Sequence, residues 1–271
     1  MATATSPPTA PPAAAPAAAA PPPPLRGLVR DAGAVRRDSV RAARWIAAGT
    51  VKVTGDVTVT EAALRGLATI GGKFTADRCS VHGTLEVRGG VDVRTSATLE
   101  GTFRPLGPVH FGSAIARGVI RAVADLEVDR LFRVAGALEA PSLHTGALDL
   151  DGSATVPGEI VALAGVRAQF RADSQLGSIS ARSVSLKGPP PGLVPTILRK
   201  VFGGNATVRV ERIEADRVEL EAVTVEFVRS REVVLGPEAH VATVEGTIVR
   251  QHPSAHVGPE SRTPPPPGLS R

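Results

Sequence analysis

A single cysteine, Cys79, a single tryptophan, Trp45, and no tyrosine are spread over 271 residues, and aromatics make up only 3 % of them. One thiol excludes an intrachain disulfide and any metal site built on paired cysteines. So few aromatics speak against the irregular interior of a globular enzyme, which such side chains normally fill. Val, Ala, Leu, Ile and Thr must fill it instead, and they suit a narrow core of stacked strands. The first residues, Met1 to Pro8, have neither the basic flank nor the apolar run of a secretion signal. No stretch reaches the length of a membrane span. The expected location is the cytoplasm, with membrane association only through partners. A Gly-rich loop followed by Lys-Ser or Lys-Thr is also missing, which argues against an actin- or tubulin-like nucleotide switch.

Charge of one sign is not concentrated either. The net charge is +5, and Arg alternates with acidic residues, as in Glu86-Val87-Arg88 and Glu211-Arg212. That is a solvated surface, and nucleic acid is not an expected partner. The six histidines, His82, His110, His144, His240, His252 and His256, are scattered. His252 and His256 stand four apart but in a polar tail without the accompanying Glu of a zinc hydrolase. Gly112-Ser113-Ala114 and Gly152-Ser153-Ala154 do not sit in the Gly-x-Ser-x-Gly frame of a nucleophile elbow. Asp149, Asp151 and Asp173 come nearest to the acidic groove of a β-helical polysaccharide lyase or hydrolase. Charges on outward strand positions ordinarily keep a sheet soluble, so no catalytic residue, metal or cofactor is assigned, and the chain is not expected to be an enzyme.

Glycine (28 residues) and proline (24) are abundant, and they are distributed differently. Proline gathers in the two tails and one internal run. Residues 1–38 and 251–271 are expected to be disordered tails, the first opening on an almost pure Ala/Pro segment that ends at Pro21 to Pro24. Glycine recurs. Gly49, Gly66, Gly83, Gly101, Gly118, Gly136 and Gly152 follow one another at 16 to 18 residues, and Gly55, Gly72, Gly89 or Gly90, and Gly107 form a second series with nearly the same period. Between them lie alternating segments such as Asp56-Val-Thr-Val-Thr, Thr84-Leu-Glu-Val-Arg and Asp125-Leu-Glu-Val-Asp, the mark of half-buried strands. They leave no room for crossover helices.

The period predicts an all-β, single-domain parallel β-helix over 39–250, with three short strands per 17–18-residue coil. One coil cannot bury its inward Val, Leu and Ile, but a stack of coils makes a continuous core. About eleven coils at 4.8 Å spacing give a rod of about 50 Å. The Pro-rich insertion at 188–204 breaks the pattern. Within it Val194, Ile197, Leu198, Val201 and Phe202 share one face of a short helix, which either packs on the rod or docks a membrane or partner.

The chain resembles the bactofilin family of polymer-forming cytoskeletal proteins. The resemblance lies in Val-rich, glycine-punctuated repeats between proline-rich tails, in Gly83-Thr-Leu-Glu-Val-Arg-Gly-Gly-Val-Asp-Val93, and in the segments starting at Val208 and Val228. It covers about residues 45–250 and implies a right-handed β-helix and polymerisation without nucleotide. It also implies a cytoskeletal scaffold whose partners, besides itself, are membrane-associated, cell-wall or chromosome-segregation proteins. Physically, the end coils of such a rod expose unpaired backbone groups over an open core, and solenoids that stay monomeric need polar caps. No cap helix is evident. Residues 36–48 are expected to form one helical turn or a first irregular strand, with Trp45 and Ile46 as buried anchors if it caps. The expected assembly residues are Val51, Val53, Val57 and Val59 at one end and Phe227, Val241, Val244 and Ile248 at the other. A charge at Val57 or Val244 is expected to shorten polymers and spare the fold.

The rival reading is a left-handed hexapeptide-repeat acyltransferase, with Leu235-Gly-Pro-Glu-Ala-His-Val as one hexad and His240 as general base. The chain keeps no six-residue phase.

Overall fold

Short apolar-polar alternations broken every few residues can bury their inward side chains only by stacking on their own kind, and that is how the chain is built. The computed structural model describes residues 25–189 and 207–259. The expected docking-helix residues Val194, Ile197, Leu198, Val201 and Phe202 lie outside the described residues, as do the outer parts of both tails. The described residues contain no helix. They form fourteen strands: β1 (Leu28–Arg37), β2 (Val40–Val53), β3 (Val57–Ile70), β4 (Phe74–Val87), β5 (Val91–Pro105), β6 (Val109–Phe111), β7 (Ala114–Arg121), β8 (Leu126–Glu139), β9 (Leu143–Phe170), β10 (Ser174–Lys187), β11 (Val208–Glu221), β12 (Thr224–Leu235), β13 (His240–Gln251) and β14 (His256–Val257).

All pair in parallel and nearly in sequence order, giving a β-solenoid of about 13 turns. At about 4.8 Å per turn the rod is about 60 Å long. This exceeds the expected eleven coils because the stack reaches past both expected boundaries, to β1 before residue 39 and to β14 after residue 250. Each 14-residue strand from β2 to β4 turns three pairs of residues inward, such as Val40 and Ala42, Trp45 and Ala47, and Val51 and Val53 in β2.

Inward residues form columns. One runs Trp45, Ala62, Cys79, Ala97, Ala114, Phe132 and Leu148 on successive turns. Four small side chains lie between two large ones, so the volume is balanced along the column. Of the eight aromatic residues in the chain, Trp45, Phe74, Phe103, Phe111, Phe132 and Phe170 are fully buried, and Phe103 and Phe111 meet at 5.9 Å between ring centres. The scarce aromatics thus serve the core.

The glycine series is a column as well. Gly33, Gly49, Gly66, Gly83, Gly101, Gly118, Gly136 and Gly152 stack on one another, all with positive φ. At Gly49, with φ of 105°, a Cβ would stand 2.5 Å from the carbonyl oxygen of Gly33 below. Glycine is required there for both reasons, backbone conformation and close approach of the next turn.

Candidate functional site at the ends of the rod

The terminal turns of a solenoid are where its strand edges are exposed. At the N-terminal end β1 lies on β2 with Val29 over Trp45, Asp31 over Ala47, Val35 over Val51 and Arg37 over Val53. The Ala47 column continues inward as Leu64, Val81, Leu99 and Ala116, and the Val53 column as Ile70 and Val87. Asp31 and Arg37 therefore occupy inward positions that are aliphatic in the turns beneath. The Asp31 side chain is 2 % exposed, and the Arg37 guanidinium donates to it through Nε at 2.9 Å and Nη2 at 2.6 Å. Trp45, wholly buried, donates its indole N–H to Asp31 Oδ2 at 2.9 Å. The hydrogen bonds from Arg37 and Trp45 outweigh burial and hold the Asp31 carboxyl below its ordinary pKa.

As expected, no helix caps this end among the described residues, and β1 gives the end a polar finish instead. That finish is the Asp31–Arg37 ion pair, which stands over Ala47 and Val53 of the next turn. Residues 40–48 belong to β2, with Trp45 buried and Ile46 only half-buried. Residues 28–37, inside the expected tail, form β1, with Asp31 and Arg37 at inward positions where the turns beneath are aliphatic. Its glycine gave it away: Gly33 lies one period before Gly49 and extends the series by one turn.

At the C-terminal end β14 pairs with the start of β13, His256 over His240 and Val257 over Val241. The inward columns close on Val257, Val244 and Ile248, while the column of Leu186, Leu220 and Leu235 ends on Gln251. The Gln251 amide donates to the Ala255 carbonyl at 3.1 Å. Ile248 and Val257 are half-buried and Val249 is 62 % exposed. This end is finished mostly by aliphatic side chains, the other by charge.

The expected assembly residues are distributed accordingly. Val51 and Val53 lie in the second turn, under β1, and Val57 and Val59 lie in the third, between β2 and β4. All four are buried. Val57, fully buried, sits between Val40 and Phe74, and Val244 is 1 % exposed. A charge at either position would be buried without a partner and would disturb the stack itself. Phe227 points outward, with the Arg212 and Arg229 guanidiniums 4.8 and 5.8 Å from its ring centre. It belongs to the side of the rod. Only Val241, Val244 and Ile248 are in the last turns.

The sides carry ladders of charge between adjacent turns. Arg229 reaches Glu245 at 2.8 Å and Glu214 at 3.8 Å, on the turns to either side. His110 lies between Asp129, 3.0 Å from Nε2, and Asp92, 3.3 Å from Nδ1, and Lys73 approaches Asp92 at 3.8 Å. The hydrogen bond to Asp129, with that to Asp92, raises the His110 pKa above its ordinary value. Sequence reading passed over His110 because its partners are 18 and 19 residues away. Of the acidic trio, Asp149 pairs with Arg133 at 3.0 Å and Asp151 with Arg171. Those two line a shallow depression with Arg167 and Lys187, whereas Asp173 accepts the Thr207 amide at 2.7 Å outside it. His240 stacks flat on His256 at 5.0 Å. Cys79 is buried, which pushes its thiol up to about 12. Among the described residues no group of three or more His, Cys, Asp or Glu is placed to hold a metal ion. No family model, no curated protein and no solved structure matches the chain.

Proposed function

We propose that the chain is a structural scaffold of the bactofilin kind: a rigid β-solenoid rod that associates end to end with its own copies, without nucleotide. The proline-rich flanking sequences serve as arms that recruit other proteins. In this reading the coil is right-handed and three-sided. The three inward pairs per 14-residue strand support the three sides.

The observation that carries the proposal is the aliphatic finish of the C-terminal turn. Inward aliphatic columns that run from β9 through the later turns close on half-buried Ile248 and Val257. A second copy set against this turn continues the columns and removes apolar surface from water. The sides of the rod support the same reading, since many of their charges pair with neighbouring turns on a solvated exterior.

Electron microscopy and sedimentation of the purified protein without nucleotide provide the test. Rods joined at their ends are expected. Single rods about 60 Å long at every concentration would overturn the proposal, and compact trimers that turn over acyl-CoA would point to the transferase instead.

A further inference from the structure

We propose that the Asp31–Arg37 ion pair, seated on Trp45, is a lid that closes the N-terminal end of the rod to a second copy of the chain. End-on association then runs through the C-terminal turn alone. The inference rests on the reading of the chain as a self-associating rod and decides which end it uses.

Three independent features of the terminal turn support it. The first is position. β1 keeps the register of the stack, and its glycine sits over Gly49, yet two of its inward columns switch from aliphatic to charged residues at this turn. Inward-pointing charge is a recognised means of blunting an exposed strand edge. The second is construction. The Asp31 carboxylate is nearly inaccessible and is held by three donor atoms, Arg37 Nε, Arg37 Nη2 and the Trp45 indole N–H. The Arg37 side chain is still 37 % exposed. A copy stacking here would strip the remaining water from that cation and bring no counter-charge in return. Desolvating an ion pair in this way is unfavourable unless new hydrogen bonds replace the water. The third is net charge. Arg26, Arg30, Arg36 and Arg37 outnumber Asp31 and Asp38 at this end. Two copies meeting head to head would therefore oppose like charges.

The consequence for assembly is geometric. Contact of two identical C-terminal turns is isologous and closes on itself, giving pairs of rods. Open chains of rods need both ends, so they require the lid to be removed.

The test uses single thiol reporters on the full chain, with Cys79 silent in the core. A short bis-maleimide links Ala34→Cys copies when N-terminal ends meet, and Val249→Cys copies when C-terminal ends meet. With the native lid, Val249→Cys is expected to crosslink and Ala34→Cys to stay at background. Replacing the lid by D31L/R37L should convert Ala34→Cys from background to a main crosslinked product, and the particles should lengthen from pairs to chains. The charge-swapped D31R/R37D should return it to background. D31N/R37Q, which keeps the polar shape without charge, should also crosslink above background and serves if the leucine pair does not fold. Ala34→Cys crosslinking as strongly with the native lid as without it would overturn the proposal. So would background crosslinking in both uncharged variants. Sedimentation of the same samples separates the two readings. Single rods with the native lid, together with crosslinked N-terminal ends in D31L/R37L, would remove the self-association reading and keep the lid. Native pairs with no gain in either uncharged variant would do the reverse.

Discussion

Two alanine substitutions in one glycine column separate backbone strain from stacking. Gly33 and Gly101 both have positive φ, 76° and 119°. A Cβ on Gly33, at the end of the column, meets nothing within 4 Å among the described residues. A Cβ on Gly101 would overlap the carbonyl oxygen of Gly83 and stand 3.0 Å from its carbonyl carbon. Gly33→Ala therefore carries only the conformational penalty of a left-handed residue, about 1–2 kcal/mol. Gly101→Ala carries a similar penalty and must also push β5 away from β4. Losing two or three ladder hydrogen bonds at about 1 kcal/mol each adds about 2–3 kcal/mol. Urea denaturation followed by far-ultraviolet circular dichroism measures the difference, and the fluorescence of Trp45, the only tryptophan, reports the N-terminal end separately. In a solenoid each turn is stabilised by its neighbours, so a weakened β4–β5 interface should also split the transition in two. Equal losses for the two variants, or a larger loss for Gly33→Ala, would refute the claim that close approach of turns fixes the glycine period.

Three further outcomes are expected. Asp31 has a lowered pKa in the fold, so its contribution is present above the unfolded value near 3.9 and is lost as pH falls through the lower folded value; Trp45 emission should shift to the red only in that acid range, and Asp31→Ala should show the shift at neutral pH with a loss of about 1–3 kcal/mol. His110 has a raised pKa, so the clasp between Asp92 and Asp129 contributes below the unfolded value near 6.5 and fades as pH rises through the folded one. The melting temperature of the native chain should fall over that window, and His110→Gln should flatten the fall. Cys79 should resist maleimide at pH 8 in the folded protein and react at the rate of unfolding in urea, since its thiol is buried and raised to about 12; rapid labelling in buffer would show that the core opens there.

The sequence by itself determined the repeat, because a glycine forced by close approach of two backbones must recur once per turn, and alternating strands too short for a crossover must stack. From these came the parallel solenoid, the buried valines and the outward charges. What stayed hidden was everything that joins residues a full turn apart. His110 meets Asp92 and Asp129 only through the stack, and Asp31 meets Arg37 six residues along β1 and Trp45 on the next turn. Asp31 and Arg37 interrupt the apolar alternation of a strand, and only the register, with Gly33 on Gly49, places them in a turn of the stack. Where the stack of described turns starts, and that its two ends differ, emerges from the fold alone, because burial of a charge depends on which side chain lies over it and not on its neighbours in the chain.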